Sequence, residues 1–341
     1  MVISSTPIQP SVAAVLVNWN GWRECIECLD TLLAQDYVSL QVFVVDNGSN
    51  DGSCRHLSSW LNSPQADPGW RPLPNVRRIT GLAPGEPVGH RLLESTDAPA
   101  PPPDGCRVTL IRAADNRGFA AGCNLGVALA GLERFDYFWF LNPDTAVARD
   151  ALGALIERAA AGNGIGMVGS TLLYYSNPNV IEALGGARLD VSNGSTRHIG
   201  AGQPADSAPL DGVEVEAQLA YVVGASMLVP REFIREVGPM SEQYFLYYEE
   251  IDWAIRARGR YRPAYAPRSR VFHKSGANSS KVVPTRSAHF YYRSRLLFVS
   301  IHLPQRIGAA RRSLVWDLLR HLRHRRWGHV RALGRILAGL E

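Results

Sequence analysis

The feature that most constrains this chain is a repeated alternation. Short apolar runs stop at Asp or Asn, and stretches with helical spacing separate them. Val12–Val17 is apolar and rich in β-branched residues, and it reads as a buried strand. Gly21–Gln35 follows, with Ile26, Leu29 and Leu33 at helical intervals. Gln41–Val45 is a second buried strand; it ends at Asp46, ahead of the turn chemistry of Asn47-Gly48-Ser49-Asn50-Asp51-Gly52. The pattern resumes with strand Arg107–Ile111, helix Phe119–Ala130 and strand Tyr137–Leu141, which runs into Asn142-Pro143-Asp144. Helix Arg149–Ala160 and strand Gly166–Gly169 complete this half. The alternation predicts an α/β fold with a Rossmann-like, mostly parallel central sheet flanked by helices. Ligands of such sheets bind beyond the carboxyl ends of the strands.

Elsewhere the pattern changes. Asn62–Gly105 is proline-rich, with Pro99 and Pro101-Pro102-Pro103, and reads as an inserted surface loop. Leu172–Gln218 reads as short strands and loops. Leu219–Val229 is strand-like, Arg231–Val237 is helical, and a further helix runs from Glu249-Glu250 to about Gly259. Pro263–Phe272 is strand-like and ends at His273; two or three helices follow from about Arg286. The expected division is an α/β domain over 11–280 and a basic, amphipathic helical region over 285–341.

Charge and cysteine usage narrow the function classes. The net charge is +5, yet nine arginines between Arg306 and Glu341 meet only Asp317 and Glu341. The basic character therefore belongs to a C-terminal tail, and nucleic acid is not an expected partner. Leu314, Leu318 and Leu322 form one apolar stripe there, beside Val315 and Leu319; Val330, Leu333, Leu337 and Leu340 form another. Such helices can lie on an anionic membrane or pack on protein, and the sequence leaves both open. No apolar run approaches the roughly 20 residues that span a bilayer, and no secretory signal is visible. Of five cysteines only Cys25 and Cys28 lie close together, without a second pair for zinc. A reduced, cytoplasmic protein is expected, with peripheral contact on the inner face of the membrane as an extension of that reading.

Five motifs can carry chemistry. Asp46 at a strand end can accept the imide N–H of uracil or thymine, or can form a turn by bonding the amides of Gly48 and Ser49. Asp115-Asn116-Arg117-Gly118-Phe119 leads into a helix whose N-terminus can face phosphate or ribose, or is simply capped. Neither G-x-G-x-x-G nor a P-loop is present, which weighs against a dinucleotide oxidoreductase and a P-loop ATPase. Asp144 can hold Mg²⁺ or Mn²⁺ against a diphosphate, though Asn142-Pro143-Asp144 also makes a strong turn. Glu249, Glu250 and Asp252 suit a helix N-terminus, yet Phe245, Tyr247, Tyr248 and Trp253 surround the pair with apolar groups that raise a carboxylate pKa towards a useful base. Asp252 and Arg256 have the spacing of a helix-surface pair. His273 can be a further metal ligand, with Lys274 available to phosphate.

In this order the pieces resemble glycosyltransferase family 2, the inverting enzymes with a GT-A fold. The resemblance rests on Val15-Leu16-Val17-Asn18-Trp19-Asn20-Gly21, Val44-Val45-Asp46-Asn47-Gly48-Ser49 and Asn116-Arg117-Gly118-Phe119-Ala120-Ala121-Gly122-Cys123-Asn124. It continues through Phe140-Leu141-Asn142-Pro143-Asp144, Gly224-Ala225-Ser226-Met227 and Tyr248-Glu249-Glu250-Ile251-Asp252-Trp253. It covers roughly 11–275 and is nearest to the rhamnosyltransferase-like branch that builds cell-surface polysaccharides. The resemblance implies a UDP- or dTDP-sugar donor, dTDP-rhamnose among them, and a hydroxyl acceptor on a glycan or a lipid-linked glycan. Asp46, Asn18, Asn20, Asn116, Gly118 and Asn142 would line the nucleotide pocket. Asp144 would be the metal-binding aspartate, with Asn142 replacing the first acid of the family's D-x-D motif, and His273 a second ligand. Glu250, with Glu249 beside it, would stand where the family has its catalytic base. The rival readings are a nucleotidyltransferase of related fold, which needs a Gly- and Arg-rich loop that Asn18–Arg23 does not supply, and a catalytically silent sugar-binding protein.

Overall fold

The computed structural model describes residues 9–64, 86–209, 211–274, 285 and 287–339. Strand β1 (Val12–Asn18), helix α1 (Trp22–Leu33), β2 (Leu40–Asp46) and α2 (Ser53–Asn62) open the chain. Next come β3 (His90–Glu94), β4 (Val108–Arg112), α3 (Phe119–Ala130), β5 (Tyr137–Leu141), β6 (Thr145–Val147) and α4 (Ala151–Ala160). They are followed by β7 (Ile165–Tyr174), β8 (Asn177–Leu184), β9 (Gly186–Asp190), β10 (Ser195–His198), α5 (Val213–Glu216) and β11 (Tyr221–Val222). Then come β12 (Ser226–Pro230), α6 (Arg231–Val237), α7 (Glu249–Arg256) and β13 (Arg262–His273). Helices α8 (Ala288–His302), α9 (Ile307–Arg323) and α10 (Trp327–Leu337) finish it.

The central sheet has the order β3-β4-β2-β1-β5-β12-β7-β13-β6, with β8 paired to β7. From β3 to β5 all pairings are parallel. β12 then enters antiparallel between β5 and β7. Alternate residues of β1 explain why both faces are covered. Val12, Ala14 and Leu16 join one apolar core with α1, α2 and α4. Ala13, Val15 and Val17 join the other with α3, α6, α7 and α8. A strand apolar on both faces needs helices on both, and the α/β class predicted from the sequence follows from that requirement. A small antiparallel sheet, β10-β9-β11, lies apart.

Three expectations need correction. The segment 62–105 is not only a loop: β3 adds an edge strand parallel to β4, with Arg91 bonded to Thr109 and to the carbonyls of Ala100 and Pro101. A half-exposed strand of five residues is too short to stand out among prolines. Residues 65–85 of that segment lie outside the described residues, as do the expected domain limit at 280, the helix start at Arg286, and Leu340 of the second stripe. Leu219–Val229 is not one strand. The turn around Gly224 splits it into β11 and β12, which serve different sheets. Asp252 and Arg256 do pair at 2.8 Å, but Asp252 is buried and also receives His302 Nε2 at 2.7 Å. The pair therefore ties α7 to α8 and is not a solvent-facing helix pair.

Candidate active site

The predicted site residues gather along one edge of the sheet. Asn18 at the end of β1 is in register with Asp46 at the end of β2. Leu16 is in register with Leu141, and Leu141 with Ser226 of β12. The Asn142 N–H donates to Ala225 O at 3.3 Å. The ends of β2, β1 and β5 and the start of β12 thus share an edge about 15 Å long at the usual strand spacing. Across this edge lies the loop into α3. Its Phe119 N–H donates to Phe245 O at 2.9 Å. Gly118 has φ +95°, and a Cβ there would stand 2.4 Å from Phe245 O, so only glycine permits this crossing. The crossing brings the segment before Glu249 over the strand ends.

On the β2 side Asp46 is buried. Its carboxylate accepts the Asn18 side-chain amide at 3.3 Å and the Cys54 thiol at 3.0 Å. The Gly48 N–H goes to the Asp46 backbone carbonyl at 2.9 Å, so the carboxylate is not spent on the turn. Asn18 Oδ1 is buried and has no partner. Asp46 opens on a cleft of about 910 Å³, shared with Ser49, Asp51, Glu94, Thr96 and Arg112. The loops beside it are clamped together by neutral groups. The Asn47 side-chain amide donates to Asn116 Oδ1 and to Gly118 O, each at 3.0 Å, and the Gly118 N–H donates to Asn116 Oδ1 at 2.9 Å. Asn116 and Gly118 thus hold the loop together. Asn20, at φ +52°, accepts the Asn50 N–H at 2.9 Å and donates its own N–H to Ser49 Oγ at 2.9 Å. Between Asn18 and Asn20, Trp19 is 58 % exposed.

On the β5 side Asp144 and His273 meet. Asp144 Oδ1 lies 3.3 Å from His273 Nε2, and the Asn142 side-chain amide lies 3.4 Å from the same nitrogen. His273 Nδ1 faces Glu182 of β8 at 3.0 Å. Burial pulls the imidazole pKa down, but Asp144 and Glu182 outweigh it and raise it to about 10. Burial pushes Asp144 up, and the attraction of His273 turns the balance, leaving its carboxyl below the usual range. Among the described residues no group of three or more His, Cys, Asp or Glu is arranged as a metal cage. The donor set still fits Mg²⁺ or Mn²⁺. These ions need only one or two protein ligands when a diphosphate and waters supply the rest. Glu182 accepting from Nδ1 would turn Nε2 towards the ion, a carboxylate–histidine arrangement common behind metal sites. Lys274, expected to meet phosphate, is instead paired with the buried Glu27 of α1.

The acid pair begins α7. Tyr247 and Tyr248, just before it, both have positive φ (67° and 75°), backbone strain of a kind that clusters at functional sites. Glu250 Oε1 accepts the Gly224 N–H at 3.1 Å and is half-buried. Burial raises its pKa, partly offset by backbone donors. Glu249 is buried with Oε2 unpartnered; burial and then Glu250 push its pKa well up. Cys25 and Cys28 are free and fully buried, and burial raises both thiols, Cys28 to about 12. That environment suits packing and argues against zinc or redox chemistry.

Glu182, Cys54 and Gly224 received no role from the sequence. Each acts through a partner 8 to 91 positions away in the chain. Only the Gly224-Ala225-Ser226-Met227 motif signalled one of them.

Residues 95–208 match the family model for Glycosyl transferase family 2. The fold is similar to the mannosyltransferase PcManGT from Pyrobaculum calidifontis, solved with GDP-Man and Mn²⁺. The TM-score is 0.53 at 16% identity, over 98% of this chain and 87% of that one. It is also similar to GalNAc-T7, solved with UDP, GalNAc and Mn²⁺. There the TM-score is 0.52 at 14% identity, over 84% of this chain and 48% of that one, so this chain spans about half of that enzyme. No curated protein sequence matches the chain significantly. The family match, on a fold shared with two such enzymes, supports a glycosyltransferase.

Proposed function

We propose that the protein is an inverting, divalent-metal-dependent glycosyltransferase. It takes a sugar from a UDP- or dTDP-linked donor, dTDP-rhamnose among them. It passes the sugar to a hydroxyl of a glycan or lipid-linked acceptor in cell-surface polysaccharide synthesis, on the cytoplasmic side. The observation that carries the reading is one sheet edge presenting Asp46, Asp144 and Glu250 together.

The buried Asp46 carboxylate accepts the imide N–H that uracil and thymine share, and the Asn18 amide orients it. Asn18 Oδ1, without a partner, is free to accept from the nucleotide or a water. Exposed Trp19, between Asn18 and Asn20, offers a flat face for stacking, and Asn20 fixes the loop that presents it. Asn116 and Gly118 hold the loop into α3 against Asn47. Asp144 and His273, with Asn142 beside them, would hold Mg²⁺ or Mn²⁺. A cation held there would supply charge neutralisation for a diphosphate. Glu250 takes the proton of the acceptor hydroxyl as its oxygen bonds to the anomeric carbon and the bond to the diphosphate breaks, inverting the configuration. A carboxylate with a raised pKa is better matched to that task than an ordinary one. Glu250 in turn helps burial to raise the pKa of Glu249 beside it.

The test is release of nucleoside diphosphate from a panel of UDP- and dTDP-sugars with Mn²⁺ or Mg²⁺, with the product anomer assigned by NMR. Glu250→Gln is expected to lower turnover by about 10²–10⁴-fold while donor affinity persists. Retained configuration, or unchanged turnover in Glu250→Gln, would overturn the assignment.

A further inference from the structure

The C-terminal helices carry a surface that the transfer chemistry does not use. Helix α9 turns Ala310, Leu314 and His321 inward, and Leu314 packs with Tyr292 of α8 and Leu333 of α10. The opposite face leaves Val315, Leu319 and Leu322 exposed, with Trp316 beside them at 73% exposure and Trp327 at the start of α10 at 64%. Helical spacing sets Arg311, Arg312 and Arg323 along that same face. All three are exposed. Among residues 306–339 the nine arginines meet one acid, Asp317, which is itself tied to Arg295 and Arg320.

We propose that this face docks on an anionic lipid bilayer. Helix α9 would lie in the headgroup plane, Trp316 and Trp327 at the interface and the arginines on lipid phosphates. Charge complementarity selects the occupant. A second copy would set one arginine-rich face against another. A nucleic-acid backbone would meet the charge but leave the Val315, Leu319 and Leu322 stripe without a partner. A basic helix with an apolar face and tryptophans suits the membrane interface. Among the described residues no helix is long and apolar enough to cross a membrane, so the contact lies on the surface. The proposal rests on this surface and stands apart from the transferase reading.

The full-length protein is floated with vesicles of pure phosphatidylcholine and of a phosphatidylcholine–phosphatidylglycerol mixture. Binding is expected to the mixture alone. Trp316→Ala with Trp327→Ala should weaken it at least about tenfold, as expected when two interfacial aromatic anchors are removed. Arg311→Ser, Arg312→Ser and Arg323→Ser together should weaken it by about a hundredfold, at roughly fivefold per arginine. These residues are exposed, so the melting temperature and nucleoside diphosphate release without vesicles should stay at the parent values. Equal binding to both vesicles, parent-like binding by both variants, a dimer in sedimentation that the tryptophan variant dissolves, or displacement from vesicles by RNA would overturn the proposal. A transferase reading that fails would show instead as no release from any donor, whatever the vesicles do.

Discussion

The two ends of the site edge are built from different materials. Around Asp46 the loops are joined by neutral amides and hydroxyls from Asn18, Asn20, Asn47, Ser49 and Asn116, beside an open cleft whose own rim carries Asp51, Arg55, Glu94 and Arg112. Around Asp144 and Glu250 the chain concentrates ionisable groups in little water: Asp144, His273, Glu182, Glu27, Lys274, Glu249 and Glu250. Recognising a flat base needs shape and one or two oriented acceptors. Moving a proton and releasing a charged leaving group needs fixed charge where the dielectric is low. Under the proposed function, recognition falls at the β2 end and chemistry at the β5 and β12 end.

Four changes would break or sharpen that contrast. Asp144→Ala should have the largest effect, lowering Mn²⁺-dependent donor affinity by about a hundredfold or more and leaving metal-free nucleotide binding in place; calorimetry with and without Mn²⁺ reads both. Glu182→Gln leaves the ligands intact but releases His273. It should weaken Mn²⁺ binding about 10–100-fold by electron paramagnetic resonance, with pyrimidine nucleotide affinity unchanged in the absence of metal. Gly118→Ala forces a side chain into the crossing at Phe245 and should cost about 1–3 kcal/mol in urea unfolding. Because that crossing joins the two ends, turnover should fall with it; full activity would show that the ends work separately.

Glu249→Gln should be the smallest. Burial raises the folded pKa of Glu249 above the ordinary 4.5, so the folded state keeps the proton longer than the unfolded one. Its contribution is nil below pH 4.5 and turns increasingly unfavourable as pH rises towards the folded pKa. Glu249→Gln should therefore leave urea-unfolding stability unchanged near pH 4. At pH 8, where the unfolded chain would release that proton, the substitution should raise stability. For Glu250, whose pKa is also raised, the acid limb of kcat/KM should lie above the ordinary carboxylate value.

The carboxyl ends of β1, β2 and β5 were legible because apolar runs stop abruptly at Asn18, Asp46 and Asn142. The helix behind Glu249-Glu250 was legible because acids favour a helix N-terminus. Edge strand β3 was not, since a half-exposed strand of five residues hardly departs from loop composition. The burial of Asp252 was missed because the pair spacing with Arg256 says nothing of α8, whose His302 closes over it. The C-terminal stripes showed that the helices are two-sided. Which side faces in came from the packing of Leu314 and Leu333.

The sequence alone determined which elements form and which residue types stand at their ends, since period and turn chemistry act over a few neighbouring residues. Tertiary structure decided who meets whom: Glu182 behind His273, Cys54 on Asp46, Gly224 under Glu250. The first and third join elements 91 and 26 positions apart in the chain, and the second closes a span of only eight. They depend on strand order and register, which many distant residues fix together and no local pattern encodes.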